Sequence, residues 1–448
     1  QGDTTLQRQL TYRPKTGETE GDGKKVVRFR PGRITPYRVK FRSDFVTTQL
    51  DNSQLFDGLN SFSGVPQDFG YQDPGILLKA NFKDLFEDYE FEAGMRIPTS
   101  FNGAEYFLLF NDRKKRLDKR YAVYRRRLKF TDNGASTSSP TQPKTKNVIL
   151  LGQYQLRYPL DVFTSIRATA TIRLDNTTQL ATDRRTLETA TQRQQHAGIK
   201  LEYVFDNTLD VALNIKNGTR YKFSVEFVKA LDINLSDNAH FKVNNKTMTV
   251  LGLDFRHYQR VLKHSVLAGR LAGATSIGKE KILFQLGGTD NWLFPTFNTE
   301  VPQPDPGDGE FVFQTVATNL RGFDLNIRNG NSYALLNIEF RMPVFRYILP
   351  RAQSPFLRNF QLVGFFDGGT AWQGLSPFND DSPLNTSTIS NTNVTVQVNF
   401  FRDPIVYGYG GGIRALLFGY FVRLDYAWGI ETRVVQDPKV YFSIGMDF

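Results

Sequence analysis

The sequence predicts an all-β protein: an antiparallel barrel of about sixteen strands built into a bacterial outer membrane, with its lumen plugged by a long extracellular loop. Three observations predict it. Segments of alternating apolar and polar residues recur along almost the whole chain. Aromatic residues are abundant, with 38 Phe, 19 Tyr and 3 Trp, while hydrophobic content is an ordinary 40%, and no apolar run approaches the roughly 18 residues a membrane helix needs. The connectors between segments alternate between long and short. A sheet that meets lipid with every second residue requires this combination. A soluble sandwich also alternates, but its apolar face is a core of mixed sizes rather than a surface with aromatic ends.

Residues 1–36 are polar and hold too few apolar residues for a core, so they read as a periplasmic tail or linker. Within them Val27 and Phe29 alternate with Arg28 and Arg30, which predicts a short added strand over 25–30. No basic-then-apolar signal segment opens the chain. It therefore reads as a mature or trimmed product, or as a cytosolic protein.

The barrel is expected over 37–448. In its first strand Tyr37, Val39 and Phe41 alternate with Arg38, Lys40 and Arg42. In 75–83, Ile76, Leu78, Ala80 and Phe82 share a face; in 89–97, Tyr89, Phe91, Ala93, Met95 and Ile97 do. Further strands are expected at 104–112, 119–131, 147–157, 161–174, 197–206, 218–230, 247–259 and 264–275. The last five are 331–345, 359–372, 404–415, 418–428 and 438–448. Each reaches the roughly nine to eleven residues of a tilted membrane strand, and an even count closes an antiparallel barrel. The long connectors, such as 132–146, 175–196, 276–330 and 373–403, fall at one rim; the short ones, such as 84–88 and 260–263, fall at the other. In the last strand Val440, Phe442, Ile444, Met446 and Phe448 are expected to face lipid, and Tyr441, Ser443, Gly445 and Asp447 to face inward. Such an ending, Phe442, Ile444, Met446 and Phe448, is similar to the recognition signal that closes outer-membrane barrels.

Chemistry is excluded more easily than assigned. With no cysteine there is no disulfide or thiolate metal site. His196, His240, His257 and His264 have no metal-ligand spacing. The run 273–279 copies a phosphate-binding loop, but Glu280 stands where Ser or Thr must hold magnesium, and no helix follows. Residues 330–334 approach a nucleophile elbow without its last glycine. No cofactor, metal or enzymatic activity is expected. The net charge of +11 is spread over strands and turns, so it reads as solvated lumen and rim rather than a nucleic-acid surface. Two basic runs, Arg113-Lys114-Lys115-Arg116 and Arg125-Arg126-Arg127, could hold lipid phosphate or an acidic partner; a solvated rim is the plainer reading.

The motif Asn319-Leu320-Arg321-Gly322-Phe323 ends the long non-strand segment 276–330. About forty residues on comes Gly364-Phe365-Phe366-Asp367-Gly368-Gly369. Strand parity turns Phe365, Asp367 and Gly369 inward, where the Arg321 guanidinium can meet the Asp367 carboxylate through two parallel hydrogen bonds. Gly408, Gly410 and Gly412 share an inward parity on the next strand and would clear space for the loop tip.

In order along the chain, four pieces resemble the bacterial surface antigen superfamily of sixteen-stranded barrels. They are Asp206-Asn207 with Asn217-Gly218-Thr219-Arg220, Leu286-Gly287-Gly288, Leu320-Arg321-Gly322-Phe323, and Phe365-Phe366-Asp367-Gly368-Gly369. The resemblance implies insertion or translocation of proteins at the Gram-negative outer membrane, with client proteins, outer-membrane lipid and lipopolysaccharide as partners. The better-known members carry periplasmic POTRA domains ahead of the barrel, and 36 residues are too few for one. A periplasmic module is expected to have been cut away or replaced by a partner. Three functions follow: a protein-handling barrel with a seam between its first and last strands; an anchor within a larger outer-membrane machine; or a passive pore, for which Glu90, Glu92, Arg96, Glu339 and Arg341 would line a wet lumen.

Overall fold

A computed structural model describes residues 38–53, 55–56, 63–64, 74–131, 144–180, 191–234, 240–301, 303, 310–351, 353–378, 386–391, 394–399 and 402–448. The tail 1–36 with its expected strand at 25–30, and Tyr37, lie outside the described residues. Lys40–Phe448 forms one compact unit, and the description that follows is of that unit.

Sixteen strands form at all sixteen expected places. They are β1 Phe41–Asp51, β2 Gly75–Asp84, β3 Tyr89–Pro98, β4 Gly103–Asp112, β5 Asp118–Thr131, β6 Lys144–Pro159, β7 Thr164–Leu180 and β8 Gln192–Asp206. Then come β9 Ile215–Asn234, β10 His240–Arg260, β11 Val266–Gly278, β12 Ser332–Met342, β13 Gln361–Trp372, β14 Val406–Leu417, β15 Tyr420–Glu431 and β16 Lys439–Ile444. Each pairs antiparallel with the next. Two short pieces, Leu209–Ala212 and Val434–Val435, extend the sheet at its rims. One-turn helices α1 Val344–Ile348 and α2 Pro355–Asn359 join β12 to β13.

Burial follows the period-two pattern. Along β13, Gln361, Val363, Phe365 and Asp367 are buried while Leu362, Gly364 and Phe366 are exposed. The exposed set is apolar, as a lipid-facing surface requires, and the buried set carries the ionic groups.

Two expectations are corrected. Segment 276–330 is not free of strands. Lys281–Leu286 pairs in parallel with Phe311–Ala317 and antiparallel with Arg328–Gly330, and Ser63–Gly64 completes a four-stranded sheet. Ile282 to Leu286 are all buried. A strand covered on both faces does not alternate, so period-two reading passes over it. The second correction is Phe448. It does not face outward but is 6% exposed, packed with Ile215, Tyr258, Val266 and Ala268. The last strand ends at Ile444 and Gly445 takes φ +121°; Met446 and Asp447 still alternate, and Phe448, four residues past the strand, does not. Val440, Phe442 and Met446 are exposed, Ile444 is half-buried, and Tyr441, Ser443 and Asp447 are buried.

The segment after β11 touches inward-facing residues far apart in the sheet. Ile282, Phe284 and Phe313 share a cluster with Phe107, Leu151 and Met248 of β4, β6 and β10. Leu286, Leu320, Phe323 and Ile327 pack with Leu335, Ala371 and Val406 of β12, β13 and β14. One compact segment reaches both clusters only if the sheet curls around it.

Candidate functional site: the Arg321 cluster

The tip of the segment is built on backbone contacts between two of its motifs. Leu320 donates to the Gly288 carbonyl at 2.9 Å, and Gly288 donates back to Phe323 at 3.2 Å. Gly287 has φ +134°, and a β-carbon there would lie 2.0 Å from the Asp324 carbonyl. The double glycine therefore seats the tip, which presents Arg321 to the wall.

Arg321 is 1% exposed. Its Nε and Nη2 donate to Oδ2 and Oδ1 of Asp367 at 2.7 and 2.8 Å, and its backbone N–H adds a bond to Oδ2 at 3.1 Å. Nη1 lies 2.8 Å from Glu339 on β12, a partner the sequence reading left among lumen charges. The guanidinium lies over the Phe365 ring, 3.6 Å from its centroid. Asn337 holds Asp367 from the other side, donating to Oδ1 at 2.8 Å and to the Asn319 carbonyl at 2.6 Å. The two β-strands place these acceptors by register, since Asn337 faces Asp367 across the β12–β13 ladder.

Gly322 and Phe323 meet β15 and β16. The Tyr441 hydroxyl accepts from the Gly322 N–H and donates to the Phe323 carbonyl, both at 2.8 Å. A β-carbon on Gly429 of β15 would lie 2.5 Å from the Phe323 ring. Neither Tyr441 nor Gly429 was singled out from the sequence; the signal available was inward parity for Tyr441 and nothing for Gly429.

The wall glycines divide. Gly408 lies directly behind the tip. Gly369 leaves room for Leu286 of the segment, to which a β-carbon would approach within 2.9 Å. Gly410 accommodates the Phe365 ring and the Tyr426 carbonyl, and Gly412 the Asp425 carboxylate and Arg414. Those two clear space for wall groups rather than for the loop.

Ion pairs continue toward the rim that carries the short connectors. Glu339 also binds Arg341 at 2.8 Å; Asp447 binds Arg414 at 2.8 Å and Arg423 at 3.1 Å; Arg414 binds Asp425 at 2.7 Å. Asn214, in the β8–β9 connector, donates to Asp447 at 2.8 Å and to Gln361 at 3.1 Å. Arg341 stacks on Phe448 with 5.0 Å to the ring centroid. On the same stretch of wall, Trp292 pairs with Ser443, the ladder partner of Arg423, and Leu293 donates to the Phe442 carbonyl at 3.0 Å, so the segment has β16 as a backbone partner besides β15. Asn52, just past β1, donates to the Trp292 carbonyl at 2.9 Å. Among the described residues there is no cluster of acidic or histidine side chains arranged for a metal.

A lipid-facing antiparallel sheet curled around an ion-paired internal segment defines the class of outer-membrane barrel proteins. Residues 108–448 match the Omp85 superfamily domain, and the chain belongs to that superfamily. It is an integral outer-membrane protein, of the class that inserts proteins into that membrane or secretes them, rather than an enzyme family. The resemblance seen in the four motifs is borne out. Solved structures similar to it include BamA from Haemophilus ducreyi lacking POTRA domains 1–3, at 10% identity over 90% of this chain and 76% of that one, TM-score 0.47. CdiB from Acinetobacter baumannii is 10% identical over 91% of this chain and 65% of that one, TM-score 0.46. CdiB from Escherichia coli is 11% identical over 92% and 63%, TM-score 0.49. The chain spans less than two thirds of either CdiB. No protein of curated function matches it.

Proposed function

We propose that this barrel passes or inserts client proteins at the outer membrane through a seam between β1 and β16, with 276–330 as the plug of a 37–448 barrel and 1–36 as a periplasmic tail. The observation that carries the reading is the fork from Arg321 onto Asp367. A charge pair this buried is costly to leave half-made, at about 3–5 kcal/mol when one partner is removed, so it holds the tip in one place. Trp292 and Leu293 occupy β16 in the manner of an added strand. An incoming client strand would replace them, using the same backbone groups as a template. Phe442, Ile444, Met446 and Phe448 serve as the signal by which the barrel itself is assembled. A periplasmic module or partner protein brings the client.

The test uses the absence of cysteine in the native chain. The pair W292C/S443C, oxidised, should fasten the segment to β16 and stop assembly or secretion, with recovery on reduction. Arg321→Ala should impair the same activity. Full activity of the oxidised pair would overturn the seam, and full activity of Arg321→Ala with an ordered segment would overturn the lock. A large steady current through the wild type in planar bilayers would assign the chain to passive pores instead.

A further inference from the structure

The basic run 125–127 does not act as one unit. Arg126 faces inward opposite Glu105, whereas Arg125 and Arg127 face outward and are exposed. Lys129 follows on the same outward face of β5. By ladder register the outward face continues to Lys146 on β6, Arg193 on β8 and Lys229 on β9. All lie toward the strand ends that carry the long connectors.

Three features mark this surface as a binding site. First, none of the six cations makes an ion pair among the described residues. Second, the outward positions of β4 to β9 carry only one acidic residue among the described residues, Asp112, which lies at the short-connector end of β4 opposite Lys119 and away from the six cations; Glu105, Asp175, Glu202 and Glu226 all point inward and are buried. Third, Lys129 stands directly opposite Lys146, a like-charge cross-strand pair that is unfavourable unless an anion lies between. Next to the cations, two and four residues along β5, come Val123 and Tyr121. They open a concave apolar groove of about 940 Å³. Its floor is small, with Gly152, Ala170 and Ala197, and its walls include Tyr154, Ile199 and Phe227.

We propose that this face binds a phosphorylated, multiply acylated glycolipid of the outer leaflet, of the lipid A type. Its phosphates lie among Arg125, Arg127, Lys129 and their neighbours, and acyl chains lie in the groove. The order of the surface, cations at the long-connector end and groove toward the membrane interior, is the order of headgroup and chains in that leaflet. The guanidinium forks supply the bidentate geometry that phosphate takes.

The experiment is native mass spectrometry of the full chain in neutral detergent, titrated with bisphosphorylated lipid A. The wild type should retain the lipid. R125S/R127S/K129S should lose about fivefold in affinity per cation, on the order of a hundredfold together. K114S/K115S/K263S, which removes as much charge at the opposite rim, should bind as the wild type does. Heat-modifiable gel migration establishes that each variant is folded. Equal retention by the first variant, equal loss in the second, or retention of phosphatidylglycerol as strong as that of lipid A would each overturn the proposal.

Discussion

The carbonyl oxygen of Arg321 lies 1.8 Å from the point where a β-carbon on Gly408 would stand. No side chain fits there without moving the tip. Gly408→Ala should therefore release the segment. Faster hydrogen exchange and new protease cleavage within 281–330 would report it. Gly364→Ala is the control, since a β-carbon there meets nothing within 4 Å, and its exchange should match the wild type.

Arg321→Lys should behave almost like Arg321→Ala. A single ammonium cannot reach both oxygens of Asp367, meet Glu339 and cover the Phe365 ring at once. Arg321→Ala should lower stability by about 3–5 kcal/mol, because Asp367 and Glu339 remain buried without their cation; Arg321→Lys keeps the charge but leaves one of the acceptors without its donor, and should lose most of that amount. Denaturant unfolding in detergent or liposomes measures this.

Tyr441→Phe keeps the ring against Trp292, whose centroid is 4.8 Å away, and removes only the hydroxyl. The Gly322 N–H and the Phe323 carbonyl both lose that partner. About 1–3 kcal/mol is expected for a buried polar group left unsatisfied. The loss should be seen as faster exchange at Gly322 with the fold intact.

Phe448→Ala should cost about 3–5 kcal/mol, as large-to-small changes of buried aromatics do. The local effect should be on the β8–β9 connector, since Phe448 packs against Ile215 and its carbonyl accepts from Arg341 at 3.1 Å. Asn214→Gly tolerates the φ of +60° at that position while removing the bonds to Asp447 and Gln361. It should loosen the same connector. Exchange confined to other parts of the sheet would contradict both expectations.

The membrane strands were legible because each has one apolar face, and a period of two survives in any sequence that obeys it. Asp367 was legible for the same reason, its parity being that of Phe365. The inner sheet was not, because Lys281–Leu286 is covered on both sides and has no period to read. Phe448 was misread because parity was carried past Gly445, where the strand has ended. Glu339 and Tyr441 carried the right parity, but nothing local told which of many inward groups the tip would touch. That choice is made by the fold of the segment, which brings residues over a hundred positions apart, such as Gly322 and Tyr441, to hydrogen-bond distance.

Because one hydroxyl on β16 serves both Gly322 and Phe323, that strand and the tip are thermodynamically linked. Any ligand that draws β16 outward must weaken the hold on the tip. Displacement of the tip must ease the departure of β16 by the same free energy, since such linkage is reciprocal. A chain arriving from the periplasm and a molecule pressing from the cell surface would thus report to one another without ever meeting.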